Sequence, residues 1–239
     1  MPLASRLLPL ALLLCAVQVA AGDATWPEVP EPPRSKVEWV VYDSHVNGLP
    51  TRIRKFESEL SADQVLNFYR QQWKTAKIGE PQQTQSGSWI ALSTLNGGVQ
   101  TTVQVKARGT EVRQGSEGML SMMDFGRAKS DFIPVEIPQF AQKDVTQVTE
   151  SVDGPKRSRL VNIVSAETLE SATRRWRSEW LRRGWRLAFE SPANAPQAKS
   201  QWLASFDKER SSVDVVISYQ ADKAQSYITV NLIDAGGAK

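Results

Sequence analysis

The chain has 239 residues, one histidine, one cysteine and a formal net charge of +3 from 29 basic and 26 acidic side chains. So few His and Cys residues exclude the usual zinc, copper and iron–sulfur ligand sets. A charge this close to balance excludes reading the basic pI as a nucleic-acid footprint, while the length suffices for two small domains.

The first 21 residues read as a cleaved secretory signal. Arg6 supplies the positive start, residues 7–20 are apolar apart from Pro9 and Gln18, and Ala20-Ala21-Gly22 offers the small residues a signal peptidase needs. The run is short for a membrane span of ~20 residues. An uncleaved N-terminal anchor is the main rival, and Leu14 before Cys15 disfavours lipoprotein processing. Cys15 leaves with the signal, so the mature chain has no disulfide and no thiolate chemistry. An exported chain without disulfides points to a bacterial envelope, periplasmic or secreted. Residues 22–36 carry Pro27, Pro30, Pro32 and Pro33 and predict a flexible leader.

A first unit spans 37–125. Residues 37–42 are β-branched and aromatic and predict a strand; Asn47-Gly48 suits a tight hairpin turn, and 52–56 is the returning strand. A helix follows, capped by Ser58 or Ser61, with Val65, Phe68, Tyr69 and Trp73 on one face. Strands are expected over 88–94, 99–107 and 119–125, with Thr101, Val103 and Val105 on the buried side. The linker 126–144 holds Phe132, Ile133, Val135 and Ile137 between prolines, too apolar for free solvation.

A second unit, 145–234, repeats this order and leaves a tail at 235–239. Its strands are 145–150, 159–164, 201–206, 213–219 and 226–232, with a helix over 166–183 capped by Ser165 and stopped by Gly184. Arg52-Ile53-Arg54-Lys55-Phe56 returns 107 residues later as Arg159-Leu160-Val161-Asn162-Ile163, and Tyr69 and Trp73 return as Trp176 and Trp180. Trp89-Ile90-Ala91 matches Trp202-Leu203-Ala204, which places Trp89 in a core where its loss costs ~3–5 kcal/mol. The expected fold is α+β: two tandem repeated modules, each one helix packed on an antiparallel sheet in the order strand-strand-helix-strand-strand-strand.

The most conspicuous candidate site is Arg174, Arg175, Arg177, Arg182, Arg183 and Arg186 among Trp176, Trp180 and Trp185. Guanidinium groups and indoles together suit a nucleic acid, lipid or polysaccharide. Leu169, Ala172, Thr173, Trp176 and Trp180 form one helical stripe, however, so the first two indoles belong to a core and the arginines to a solvated arc. Glu170 and Glu179 stand four residues from Arg174, Arg175 and Arg183, the spacing of stabilising ion pairs.

Asp43-Ser44-His45 invites a hydrolase reading, but neighbouring side chains on a strand point to opposite faces, and the adjoining turn places His45 at a tip open to water. No Gly-x-Ser-x-Gly elbow, phosphate cradle or calcium loop is present, and no cofactor is implied. The leading expectation is therefore a non-catalytic interaction protein of the bacterial envelope, serving assembly, secretion or appendages, with an envelope protein as partner. Candidate contacts are the strands at 99–107 and 213–219 and the apolar linker at Phe132 and Ile133. The alternatives are an anionic or amphiphilic ligand on the Arg/Trp helix, and a hydrolase using separated carboxylates.

Overall fold

The computed structural model describes residues 26–108, 115–153, 155–191 and 200–235; the expected signal at 1–21, residues 22–25 of the leader and the tail beyond residue 235 lie outside these. Met1–Pro30 and Glu31–Lys239 are separate compact units. Residues 26–30 hold no helix or strand, and the described secondary structure belongs to the second unit.

That unit begins with β1 (Ser35–Val46) and β2 (Leu49–Ser58), joined by Asn47 and Gly48 at φ 50° and 76°. Two consecutive left-handed residues match the twist of a two-residue hairpin, which is why Asn-Gly occupies the position. Helix α1 (Ala62–Thr75) starts at Ser61, whose hydroxyl accepts from Gln64 N while the Gln64 side chain accepts from Ser61 N. That reciprocal cap satisfies two otherwise free amides. Four strands follow: β3 (Gln82–Ser86), β4 (Trp89–Asn96), β5 (Val99–Arg108) and β6 (Gly115–Asp124).

A short 3-10 turn and an irregular strap lead to α2 (Gln139–Gln142), after which β7 (Val145–Asp153) and β8 (Lys156–Ser165) pair. Helix α3 (Leu169–Arg182) is capped by the Thr168 hydroxyl, which accepts from Ser171 N, and Gly184 leaves it at φ 81°. Ser165, the expected cap, is instead the last residue of β8, and its hydroxyl accepts from Glu167 N. The chain ends in β9 (Arg186–Glu190), β10 (Gln201–Lys208), β11 (Ser211–Gln220) and β12 (Gln225–Asp234).

The fold is α+β, and where two sheets were expected there is one. Twelve antiparallel strands run in the order β3-β4-β5-β6-β2-β1-β7-β8-β12-β11-β10-β9. Helix α1 packs against β5 and β6, and α3 against β9, β10 and β11. Under α1 lie Phe56, Leu92, Val103, Val105 and Leu120, with Val65, Leu66, Tyr69 and Trp73 from the helix. The core under α3 is built from Trp176, Trp180, Trp185, Trp202, Phe206, Val215, Ile217, Ile228 and Val230. The strap closes that second core: Ile137 and Ala141 are buried in it, and Phe132, Ile133 and Phe140 pack against it. No helix among the described residues is long and apolar enough to cross a membrane.

Both sheet edges were missed in the sequence. Gln82–Ser86 has no apolar residue and is exposed throughout, so it carries no alternation to read. Each half thus has four strands after its helix, not three. Trp89 also departs from expectation. It is half-exposed, with the Lys106 ammonium 4.8 Å from its ring centroid, whereas Trp202 is buried. Trp89 is the first residue of β4, whereas Trp202 is the second of β10, the place that Ile90 holds in β4. A slip of one residue turns a strand side chain to the other face.

Candidate interaction site at the central seam

The two halves meet where β1 pairs with β7, and the joint is short. Only Ser44–Ser151, His45–Glu150 and Val46–Thr149 are in register. Side chains and the turn reinforce it: Ser44 Oγ donates to Glu150 O at 2.5 Å, Asn47 N to Val148 O at 2.8 Å, and Val148 N to Asn47 Oδ1 at 2.8 Å. Upstream, β1 shifts register twice against β2, between Trp39 and Val41 and between Val41 and Ser44. Such bulges bend a strand and end its pairing. Over residues 35–43 the outer edge of β1 has no strand partner among the described residues.

That edge carries exposed aromatic surface. Trp39, Val40 and Tyr42 are 46%, 55% and 57% exposed, and Val152 across the fork is 49% exposed. The Trp39 and Tyr42 rings meet edge-to-face at 5.0 Å. Arg54 lies 5.2 Å from the Trp39 centroid and Arg52 4.5 Å from that of Tyr42, so cation–π contacts hold both rings in place. Behind them Lys36 and Lys55 both grip Glu38 at 2.8 Å, and these hydrogen bonds hold its carboxyl down to about 2. Folded proteins normally protect open strand edges with charge or cover. Here bulges and the Lys36–Glu38 pair are present, but exposed rings stand beside them.

On the helix side of the seam, the strap forms a cavity of about 250 Å³ with His45, Val148, Glu150, Arg157 and Arg159 below and Lys129, Asp131, Phe132, Ile133 and Pro134 above. Gly48 fixes the strap at one end: its carbonyl accepts from Lys129 N at 3.0 Å, and a Cβ there would lie 2.2 Å from Lys129 O. At the other end Arg159 holds Glu136 through both terminal nitrogens at 2.8 and 3.1 Å, and Arg183 Nη1 donates to Glu136 O at 2.9 Å. His45 is therefore partly covered, not free at a hairpin tip. Burial first, then the Lys129 charge, lowers its pKa from the ordinary 6.5.

The six arginines read from the sequence are not brought together as a bare patch. Arg174 faces Glu170 at 3.4 Å, Arg177 faces Glu190 at 3.1 Å and Arg186 faces Asp207 at 2.9 Å. Arg175 reaches Glu167 at 2.5 Å and stacks 3.8 Å from the Phe140 centroid. Arg182 and Arg183 share Glu179, each at 2.7 Å, and Arg182 above all holds that carboxyl down to about 2. Five carboxylates thus face six guanidiniums, which weighs against polyanion binding.

Phe132 and Ile133 are half-buried, spent partly on the second core and partly on the cavity roof. The strands at 99–107 and 213–219 fall within β5 and β11, both flanked on each side, so neither is an edge. Among the described residues no three His, Cys, Asp or Glu side chains converge as metal ligands. Ser44 is buried with its hydroxyl committed to the Glu150 carbonyl and not to His45. The β1 edge and the cavity cations were missed because both arise from strands and strap meeting over more than 80 residues of sequence. Only the aromatic content of 37–42 hinted at the edge.

Known proteins add nothing to this geometry: no family model matches the chain, and no curated protein or solved structure matches it significantly.

Proposed function

We propose that this is a non-catalytic interaction protein that accepts an extended segment of a partner along the open edge of β1. The observation that carries the reading is a strand edge with no strand partner among the described residues, whose exposed rings, Trp39 and Tyr42, are held by Arg54 and Arg52. Strand addition supplies backbone hydrogen bonds for affinity, and alternate side chains supply selectivity. The terminal strands β3 and β9 are only five residues each, as protected edges are.

The same reading places the protein in a bacterial envelope, periplasmic or secreted, with residues 1–21 as a cleaved signal. It rests on the signal-like N-terminus and a mature chain without cysteine. It also takes the halves as one duplicated unit of strand-strand-helix and four strands. Support comes from element bounds: β2 and β8, and α1 and α3, start and end 107 residues apart, and β5 and β11 do so at 112. Ser44 and Ser151, also 107 apart, face each other at the seam.

The test is photocrosslinking in the source cells, with a reactive residue at Val40 and controls at Gln83 in β3 and Phe189 in β9. One discrete adduct from Val40, lost on Trp39→Ala, is the expected result. Equal adducts from the three sites, or none, would overturn the edge reading.

A further inference from the structure

We propose that the cavity under the strap binds a carboxylate carried on a small apolar body. This site stands on observations separate from the β1 edge. Its wall carries three cations, Lys129, Arg157 and Arg159, and two carboxylates, Asp131 and Glu150, while Glu136 beside it pairs with Arg159. The acids do not use up the donors. Arg157 commits Nη2 to Glu150 at 2.7 Å, Arg159 turns both terminal nitrogens to Glu136, and its buried Nε has no partner. The Lys129 ammonium makes no ion pair among the described residues and acts on His45 through its charge. An anion placed there exchanges water for charge-assisted hydrogen bonds, the strong class.

Shape narrows the ligand. A volume of about 250 Å³ falls below the ~300–1,000 Å³ of drug-sized pockets. A polymer interior or a bilayer does not fit, whereas a single acid of amino-acid size does. Phe132, Ile133 and Pro134 form the roof and Val148 part of the floor, so the body attached to the carboxylate must be apolar. Such a group is either a free organic acid or the carboxyl end of another chain, and the chemistry of recognition is shared.

The only histidine in the chain lines the cavity, so its ring resonances report occupancy without ambiguity. The experiment titrates the full chain, labelled at histidine, with benzoate, N-acetylphenylalanine and the corresponding neutral amides. Saturable shifts with the acids and none with the amides are expected, together with a rise in the His45 pKa as the bound anion offsets the Lys129 charge. Lys129→Ala should weaken binding roughly tenfold, as loss of one charge-assisted contact does, and Lys129→Arg should restore most of it. Saturation by benzoate alone identifies a free small acid, and by N-acetylphenylalanine alone a chain end. Equal shifts from acids and amides, or no saturation by about 10 mM acid, would overturn the proposal. Lys129 is exposed and only its backbone holds the strap, so the Ala variant folds and a negative result is informative.

Discussion

Replacing Gly48 with alanine tests whether the strap is locked to the hairpin. Gly98 is the matched control, because it holds the same second position of a two-residue turn, at φ 83° against 76° for Gly48. Both alanines meet the left-handed backbone cost, ~1–2 kcal/mol for a residue with a Cβ. They differ in what the new methyl meets. At Gly98 the nearest atom is Gly126 N at 3.5 Å, ordinary contact; at Gly48 it is Lys129 O at 2.2 Å, with Lys129 C at 3.1 Å and Phe132 Cβ at 3.2 Å. Backbone at 2.2 Å cannot swing aside as a side chain does, so the strap must move. Moving it breaks the Lys129 N–Gly48 O hydrogen bond, worth ~1 kcal/mol. It also loosens Phe132 and Ile133 from the second core, where partial exposure of two apolar side chains adds ~1–2 kcal/mol. Gly48→Ala should therefore cost ~3–5 kcal/mol in total and Gly98→Ala ~1–2. Urea unfolding followed by tryptophan fluorescence measures both. Equal losses would refute the strap lock, since the backbone cost alone would then account for both.

Trp180→Ala should cost ~3–5 kcal/mol, because the ring is buried against Trp176, Trp185 and Phe206. Trp89→Ala should cost ~1 kcal/mol or less, since Trp89 is half-exposed beside Lys106; the same urea series separates the two, and similar losses would contradict the placement of Trp89. Glu179 is held down to about 2 by Arg182 and Arg183. Its depressed folded pKa gives stability present above the ordinary value of about 4.5 and lost as pH falls toward 2. The stability gap between the native chain and Glu179→Gln should therefore narrow over that window; a gap unchanged with pH would deny the pairing. In the unliganded chain the His45 resonance should titrate below 6.5. Because the folded form resists protonation, His45 makes no difference to stability at pH 8 and lowers it as pH falls below 6.5; a titration above 6.5 would mean that Glu150 outweighs burial and Lys129.

What the sequence made legible were features decided within a few residues. The Asn47-Gly48 turn, the Ser61 cap and the stripe of Trp176 and Trp180 each follow from local backbone or helical-spacing physics, and each is present. Strand faces were legible where one side is covered: Thr101, Val103 and Val105 are buried as their alternation implied. The failures had non-local causes. Gln82–Ser86 is held by backbone pairing to β4 and has no apolar face to reveal it. Glu170 and Glu179 were legible as partners from their helical spacing, but Glu167, Glu190 and Asp207, which face Arg175, Arg177 and Arg186, come from outside α3. His45 looked solvent-open because nothing in Asp43-Ser44-His45 announces a strap arriving from residue 129.

The β1 edge departs from the symmetry that the seam would otherwise have. In the proposed duplication Ser44 and Ser151 are equivalent and lie opposite each other, as a symmetric pairing of β1 with β7 would place them. Each pair on one side should then have a counterpart on the other. His45–Glu150 and Val46–Thr149 are formed, yet their counterparts, Asp43–Val152 and Tyr42–Asp153, are absent from the register. The seam stops at its centre because β1 bulges between Val41 and Ser44, whereas the one register shift of β7 against β8 lies at its other end, between Val145 and Gln147. Leaving those pairs unmade forgoes backbone hydrogen bonds of ~1 kcal/mol each. Trp39, Val40 and Tyr42 are exposed at that same place. Drift in a duplicated unit accounts for a lost pair, but not for two exposed rings each held by an arginine on the edge that the loss opens; a partner strand accounts for both.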